Sequence, residues 1–304
     1  MNQDFSSFHD VVRAFLCSAA VVTQTPQNSG ATQESQETAV VETDEIGPLV
    51  PETACLAVAG PVKDNTASLT NREHFQISGA ELQATFGIAD CLIINDFLAV
   101  GYGLLTLDDE KECATLHGAT RVPGAPIGCL GAGTGLGECY LTCASEDSEY
   151  VCFPTEGAHV DLTPRSDLEW ELNKFLKKKF QQPNRVSVER IVSGPGIVSV
   201  YEFMASKFPK EVDKKITEKL KVAGDLKAAV VATHYDRNVV CRRAMDTFVT
   251  AYGAEAGNAA LKWLPLGGLY VAGGADTKEF APTGTPPPKS RRGGAESWVP
   301  GCTS

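Results

Sequence analysis

Leu130 to Thr142 reads LGAGTGLGECYLT, with glycine at every second position from Gly131 to Gly137. The flanking residues, IGC before and ECYLTCA after, have the short apolar period of strands, so the segment reads strand–turn–strand. Glycine lets a chain turn with positive φ, and it lets another group approach the backbone closely. A tight hairpin with no ligand satisfies the pattern, and so does a cradle of exposed N–H groups around a phosphate. Spacing excludes two familiar phosphate loops. Leu136 stands three residues after Gly133, which breaks G-x-G-x-x-G, and no G-K-[ST] follows for a P-loop.

Outward from this segment, strand-like runs alternate with helical ones, the pattern of an α/β protein. FSSFHDVVRAFLCSAAVV (5–22) has helical spacing. Residues 23–53, rich in Thr, Gln, Ser and Glu, are expected to form a disordered insert. ACLAVAGPV (54–62) reads as a strand ended by a Gly-Pro turn, and SGAELQATFG (78–87) as a helix closed by Gly87. DCLIINDF (90–97) is a buried strand run ending on Asn95 and Asp96, followed by a helical LAVGYGLLTL (98–107). YVCFPTEGAHVDL (150–162) continues the β region. SDLEWELNKFLKKKF (166–180) is a helix with a Ser166–Glu169 capping box and an apolar face of Leu168, Leu172, Phe175 and Leu176. Lys177 to Lys179 complement the dipole at its end. A helix from Ile197, a long helical pattern over 238–264 and the strand GGLYVAGG (267–274) follow. The Pro- and Arg-rich stretch 281–304 is expected to be a disordered tail.

The 304 residues, 43% of them hydrophobic, suffice for two domains. A net charge of −11 and a pI near 5.0 argue against nucleic acid or an anionic membrane as partner. They leave phosphate ligands open, since backbone N–H groups and Mg²⁺ can hold a nucleotide. Ten cysteines, none in C-x-x-C, suit the reduced, buried thiols of a cytosolic protein. FLCSAAVV lacks a basic flank for a signal peptide, and no apolar run reaches the roughly 18 residues of a membrane helix.

Asp96 stands where CLIIN ends, and in open α/β sheets ligands gather at the carboxyl ends of strands. A carboxylate there can accept a proton from a substrate hydroxyl; an Asp capping the next helix gives the same pattern. Glu156 and His159 flank a glycine and both accept from hydroxyls, as binding a polyol requires. A metal site at this pair lacks a third ligand nearby, and a satisfied loop His is the plain alternative. Glu189, a charge among β-branched residues, reads alone as half-buried beside Arg190 or another cation. SGPG (193–196) and AGG (272–274) add two glycine turns. Glycine turns, a strand-end Asp and two Glu together suit phosphoryl transfer, which needs a phosphate cradle, a carboxylate at the attacking hydroxyl and little covalent chemistry.

AVAGPV, LTN, LIINDF, GAGTGLG, FPTEGAHVDLTPRS, VSVERIVSGPG and GGLYVAGG occur in the order found in the bacterial-type glucokinases. Over roughly residues 54–275 the chain resembles that family, which has the two-domain hexokinase–actin-like (ribonuclease H-like) ATPase fold. The resemblance implies ATP-dependent phosphorylation of glucose at its 6-hydroxyl, the opening step of glycolysis, in the cytoplasm. It implies Asp96 as general base, and Asn95, Asp96, Glu156, His159 and Glu189, with Asn71 of LTN, as the groups that hold glucose. Gly131, Gly133, Thr134 and Gly135 match the second phosphate loop, and Gly194, Gly273 and Gly274 match turns near the nucleotide. Mg²⁺ would arrive with ATP and need no resident metal site. The implied small domain takes residues 1–22 and 54–95, the implied large domain 96–280, and a homodimer is the implied assembly.

Two departures go with this. The family's first phosphate loop, D-x-G-G-T, does not occur here, and similarity stops after GGLYVAGGADTKEF. Both ends therefore read as truncated, with an expectation of reduced stability and low or absent kinase activity. The alternative to a working kinase is a sugar-binding remnant that keeps Glu156, His159 and Glu189.

Overall fold

The computed structural model describes residues 7–23, 50–68 and 76–273. Asn71, Gly274, the tail expected at 281–304 and most of the insert expected at 23–53 lie outside the described residues. The end of that expected insert is ordered, because strand β1 (Thr53–Val58) already includes Thr53.

Helix α1 (Phe8–Thr23) comes first, and its Phe8 and Val12 pack on a small core of Val58, Ile77, Leu82 and Ile93. After β1 the chain forms a short antiparallel sheet of β2 (Val62–Lys63), β3 (Thr66–Ser68) and β4 (Gln76–Ser78). Helix α2 (Gly79–Phe86) is capped by Ser78, whose hydroxyl accepts from Glu81 N, and closed by Gly87 in the left-handed region at φ 70°. Strand β5 (Asp90–Asn95) then pairs in parallel with β1, from Thr53↔Asp90 to Val58↔Asn95.

Asn65 fastens the small antiparallel sheet to β5. With a positive φ of 53°, it aims its side-chain amide along the edge of β5, where Oδ1 accepts from Ile93 N at 2.7 Å and Nδ2 donates to Cys91 O at 2.8 Å. One amide thus satisfies a donor and an acceptor that a strand partner would otherwise take. The run expected to be a buried strand is buried on one face: Cys91 and Ile93 point inward, while Leu92 is 51% exposed.

Helix α3 (Asp96–Leu104) starts directly at the end of β5, two residues before the expected LAVGYGLLTL helix. Asn95 explains this, since its Oδ1 accepts from Phe97 N and Leu98 N and caps the helix. A single turn, α4 (Asp109–Glu112), leads to the largest sheet, ordered β8-β7-β6-β9. It comprises β6 (Ile127–Ala132), β7 (Leu136–Thr142), β8 (Val151–Thr155) and β9 (Gly268–Ala272), with β9 parallel to β6 and the other pairs antiparallel.

Helices α5 (Asp167–Lys179), α6 (Gly194–Lys207), α7 (Lys214–Val222), α8 (Lys227–Thr233) and α9 (Val239–Trp263) pack with this sheet around a core that includes Leu130, Leu172, Leu176, Met204, Met245 and Phe248. Ser166 caps α5 as expected, but the capping box is half made: Glu169 Oε2 accepts from Arg165 N rather than from the cap residue. Helix α6 begins three residues before the expected Ile197. Ser193 Oγ accepts from Gly196 N, so SGPG is a helix start rather than a free turn. Among the eight cysteines that are free thiols in the described residues, Cys91, Cys129, Cys139, Cys152 and Cys241 are buried as expected and Cys55 is exposed. No helix among the described residues is long and apolar enough to cross a membrane.

Candidate functional site

The four alternating glycines divide into two pairs. Gly131 and Gly137 face one another across β6 and β7. A Cβ on Gly131 would lie 2.9 Å from Phe97 Cζ and 2.6 Å from Ala272 O, and one on Gly137 would lie 2.6 Å from Phe97 Cε2. Both are glycine because the Phe97 ring lies on the sheet there. Gly133 and Gly135 make the turn, where Gly133 N donates to Gly135 O at 2.7 Å and exposed Thr134 forms the tip. A Cβ on Gly135 would stand 2.6 Å from Glu189 Oε2.

The other glycine turns converge on the same end of the sheet. Gly194 N, the first helical N–H of α6, donates to Gly133 O at 2.8 Å. Gly273, at φ 109°, follows β9, and a Cβ there would lie 2.6 Å from Ala132 O. Tyr252 of α9 anchors the arrangement from below, its hydroxyl accepting from Ala132 N at 3.0 Å. A helix N-terminus and several glycine backbones thus border one turn, a setting suited to an anion.

Asp96 is exposed at the carboxyl end of β5, and its Oδ1 accepts from Phe97 N at 2.9 Å. Asn95 is held on both sides, since its Nδ2 also donates to Gly60 O at 3.2 Å. Phe97 therefore links the strand-end Asp to the glycine hairpin: it is the next residue in the chain, and its ring rests on Gly131 and Gly137.

On the other flank, the structure brings Glu156, His159 and Glu189 together. His159 Nε2 is 3.6 Å from Glu156 Oε2, and its Nδ1 is 3.9 Å from Glu189 Oε1. The one-turn 3-10 helix Gly157–His159 sets the first spacing. Arg185 steadies the turn by donating to His159 O at 2.7 Å. Glu189 is half-buried, as expected, but its side chain meets His159 and the glycine turn rather than Arg190. Its Oε2 accepts from Leu136 N at 3.1 Å, just past the glycine turn, while Arg190 stacks over Phe180 with 4.0 Å to the ring centroid. Of the three, Glu189 is the least exposed. A hollow of about 450 Å³ opens beside His159 and Glu189.

Sequence reasoning missed two residues here. Phe97 carries no motif of its own. Glu138 had a signal, a charge within the apolar run of β7. It is buried, and Oε2 lies where a side chain on Gly157 would have to go. Burial first, and then the field of Glu255 against the opposing Lys262, pushes its carboxyl up to about 7 from the ordinary 4.5.

The fold that carries this site is shared with solved proteins. A glucokinase from an Antarctic psychrotroph superposes with a TM-score of 0.62 at 27% identity, over 89% of this chain and 71% of that one. The fold is shared by a glucokinase from Balamuthia mandrillaris, with a TM-score of 0.57 over 73% of this chain and 64% of that one. The chain is thus an α/β protein of the hexokinase–actin-like class to which sugar kinases belong. A family model described as Glucokinase matches residues 1–281. Curated glucokinases of Synechocystis sp. and Nostoc sp. are 45% and 41% identical over 236 and 242 residues, covering 74% and 76% of this chain. The chain belongs to the glucokinase family. It spans about two thirds of the length of these relatives, 65% and 69% respectively.

Proposed function

We propose that the chain carries out, or forms the greater part of a protein that carries out, transfer of the γ-phosphoryl group of ATP to the 6-hydroxyl of glucose. The observation that supports this most is the double engagement of Glu189. One carboxylate oxygen faces His159 in the hydroxyl-accepting cluster, and the other takes the Leu136 N–H at the glycine turn. Sugar-holding and phosphate-facing groups are thereby joined through one side chain.

In this reading Asp96 takes the proton of the attacking hydroxyl from an exposed position, where its Oδ1 accepts from Phe97 N. Asn95, Glu156, His159 and Glu189 accept from or donate to the other hydroxyls, and Asn71, which is outside the described residues, is a further sugar ligand in this reading. Gly133, Thr134 and Gly135, with Gly194, Gly273 and Gly274, border the nucleotide. Gly131 supports them from beneath by admitting Phe97. Mg²⁺ arrives on the ATP phosphates and offsets charge on the transferring group. The setting is cytoplasmic.

The test is ADP release by the purified chain with Mg-ATP, with and without glucose, beside Asp96→Ala. Glucose-dependent release that falls about 10²–10⁴-fold in the variant supports the assignment. No release, with glucose binding retained in calorimetry, favours the sugar-binding reading instead. Neither release nor binding removes both readings for this chain.

A further inference from the structure

We propose that Glu138 is a positioning residue for the turn that presents Glu156 and His159, and that it acts as one of two buried carboxylates, with Glu255, behind the sheet. The inference rests on the reading of that turn as a sugar site, but its geometry stands apart from it.

Glu138 and Glu255 are each only 1% exposed. Glu138 sits in β7 opposite Thr155 of β8. Thr155 Oγ1 accepts from Gly157 N at 3.1 Å, and Gly157 opens the turn that ends at His159. A Cβ on Gly157 would overlap Glu138 Oε2 and lie 3.0 Å from its Cδ, so the carboxyl rests directly on the turn. Behind the sheet, Glu138 Oε1 has no hydrogen-bond partner among the described residues, and neither has Glu255 Oε1. Glu255 Oε2 accepts from Asn258 Nδ2 at 3.0 Å, and Lys262 Nζ lies 3.8 Å from Glu255 Oε1. The charged groups acting on Glu138 are therefore Glu255 and Lys262 on α9, while Glu156 and His159 are carried by the turn it rests on.

One half-exposed ammonium does not compensate two buried carboxylates. A proton held on Glu138 removes one charge, and burial favours that state strongly enough to hold it up to about pH 7. Glu255 also lines a cavity of about 210 Å³ bounded by the 161–165 loop, Ile191 and α9. Neutral Glu138 leaves the Gly157 N–H to Thr155. Ionised Glu138 competes with Thr155 for that N–H and disturbs the turn, and with it the spacing of Glu156 and His159. Sugar affinity accordingly falls as pH rises through this step.

The test follows the Gly157 amide by NMR as pH is raised from about 5 to about 9. Alongside, glucose affinity is measured by calorimetry, in the wild type, Glu138→Gln and Glu255→Gln. The expected result is a step near pH 7 in the wild type that is lost in Glu138→Gln and moves to lower pH in Glu255→Gln, where the repelling charge is gone. A step that persists unchanged in Glu138→Gln overturns the proposal. If Glu138→Gln does not fold, a step that fails to move in Glu255→Gln overturns it equally. If the steps behave as expected but glucose does not bind at any pH, the role of Glu138 in the turn stands and the sugar reading of the site falls.

Discussion

Phe97 occupies the space that a side chain on Gly137 would need, with its Cε2 2.6 Å from where a Cβ would stand. The residue before Phe97 is Asp96, so the same ring that holds the hairpin also fixes the first turn of α3. Gly137→Ala should therefore cost about 1–3 kcal/mol by overpacking and lower kcat more than it raises KM. Combined with Phe97→Ala, which vacates the space, the loss should be less than the sum of the two single losses. Urea unfolding of the two single variants and the double variant measures that coupling.

Glu189→Gln keeps an oxygen for the Leu136 N–H but loses the carboxylate beside His159. Glu189→Ala loses both. The first should weaken glucose binding with little change in stability. The second should also destabilise the chain by about 1–3 kcal/mol, because a partly buried N–H is left without a partner. Calorimetry with glucose and thermal melts on the same preparations separate the two effects.

Glu138 makes stability depend on pH with a defined sign. Its folded carboxyl titrates near 7, above the ordinary 4.5, so the unfolded chain releases this proton first. Its contribution is fully favourable below pH 4.5, declines as pH rises to about 7, and is flat above. At most the slope is about 1.4 kcal/mol per pH unit. Urea unfolding of wild type and Glu138→Gln at matched pH values should show the variant gaining on the wild type across that window and keeping its gain at neutral pH.

Asn65→Ala removes both hydrogen bonds that tie the small sheet to β5. It also places a β-carbon without a compensating amide at a φ of 53°. The expected loss is about 2–3 kcal/mol. Amide hydrogen exchange should locate it, with Ile93 N losing protection while the amides of β6 keep theirs.

Much of this architecture was legible from the residues. Alternation, caps and glycine closures marked α2, α5, α9 and the β6–β7 hairpin, because these signals are local. Two helices start ahead of where their periodicity begins, for one reason. Asn95 and Ser193 each cap from a position that reads as strand end or glycine turn, and a cap is visible only once its side chain is seen to accept the N–H ahead. The site was legible as residue types but not as connections. Nothing in the spacing tells that Gly131 and Gly137 serve an aromatic ring while Gly133 and Gly135 serve a turn. Glu189 has Arg190 beside it in sequence, whereas its contacts come from residues 30 and 53 positions away, a long-range pairing that one sequence does not encode locally.

The carbonyl of Gly133 receives the first N–H of α6, and α6 runs on against α9, whose Tyr252 in turn grips the end of β6. Hairpin, helix and tyrosine close a mechanical ring. Any displacement of the glycine tip is relayed along two routes and returns to the strand it began from. A loop so braced resists being pushed aside by an incoming ligand, and a perturbation on the far side of the helical layer has a short, stiff path back to it.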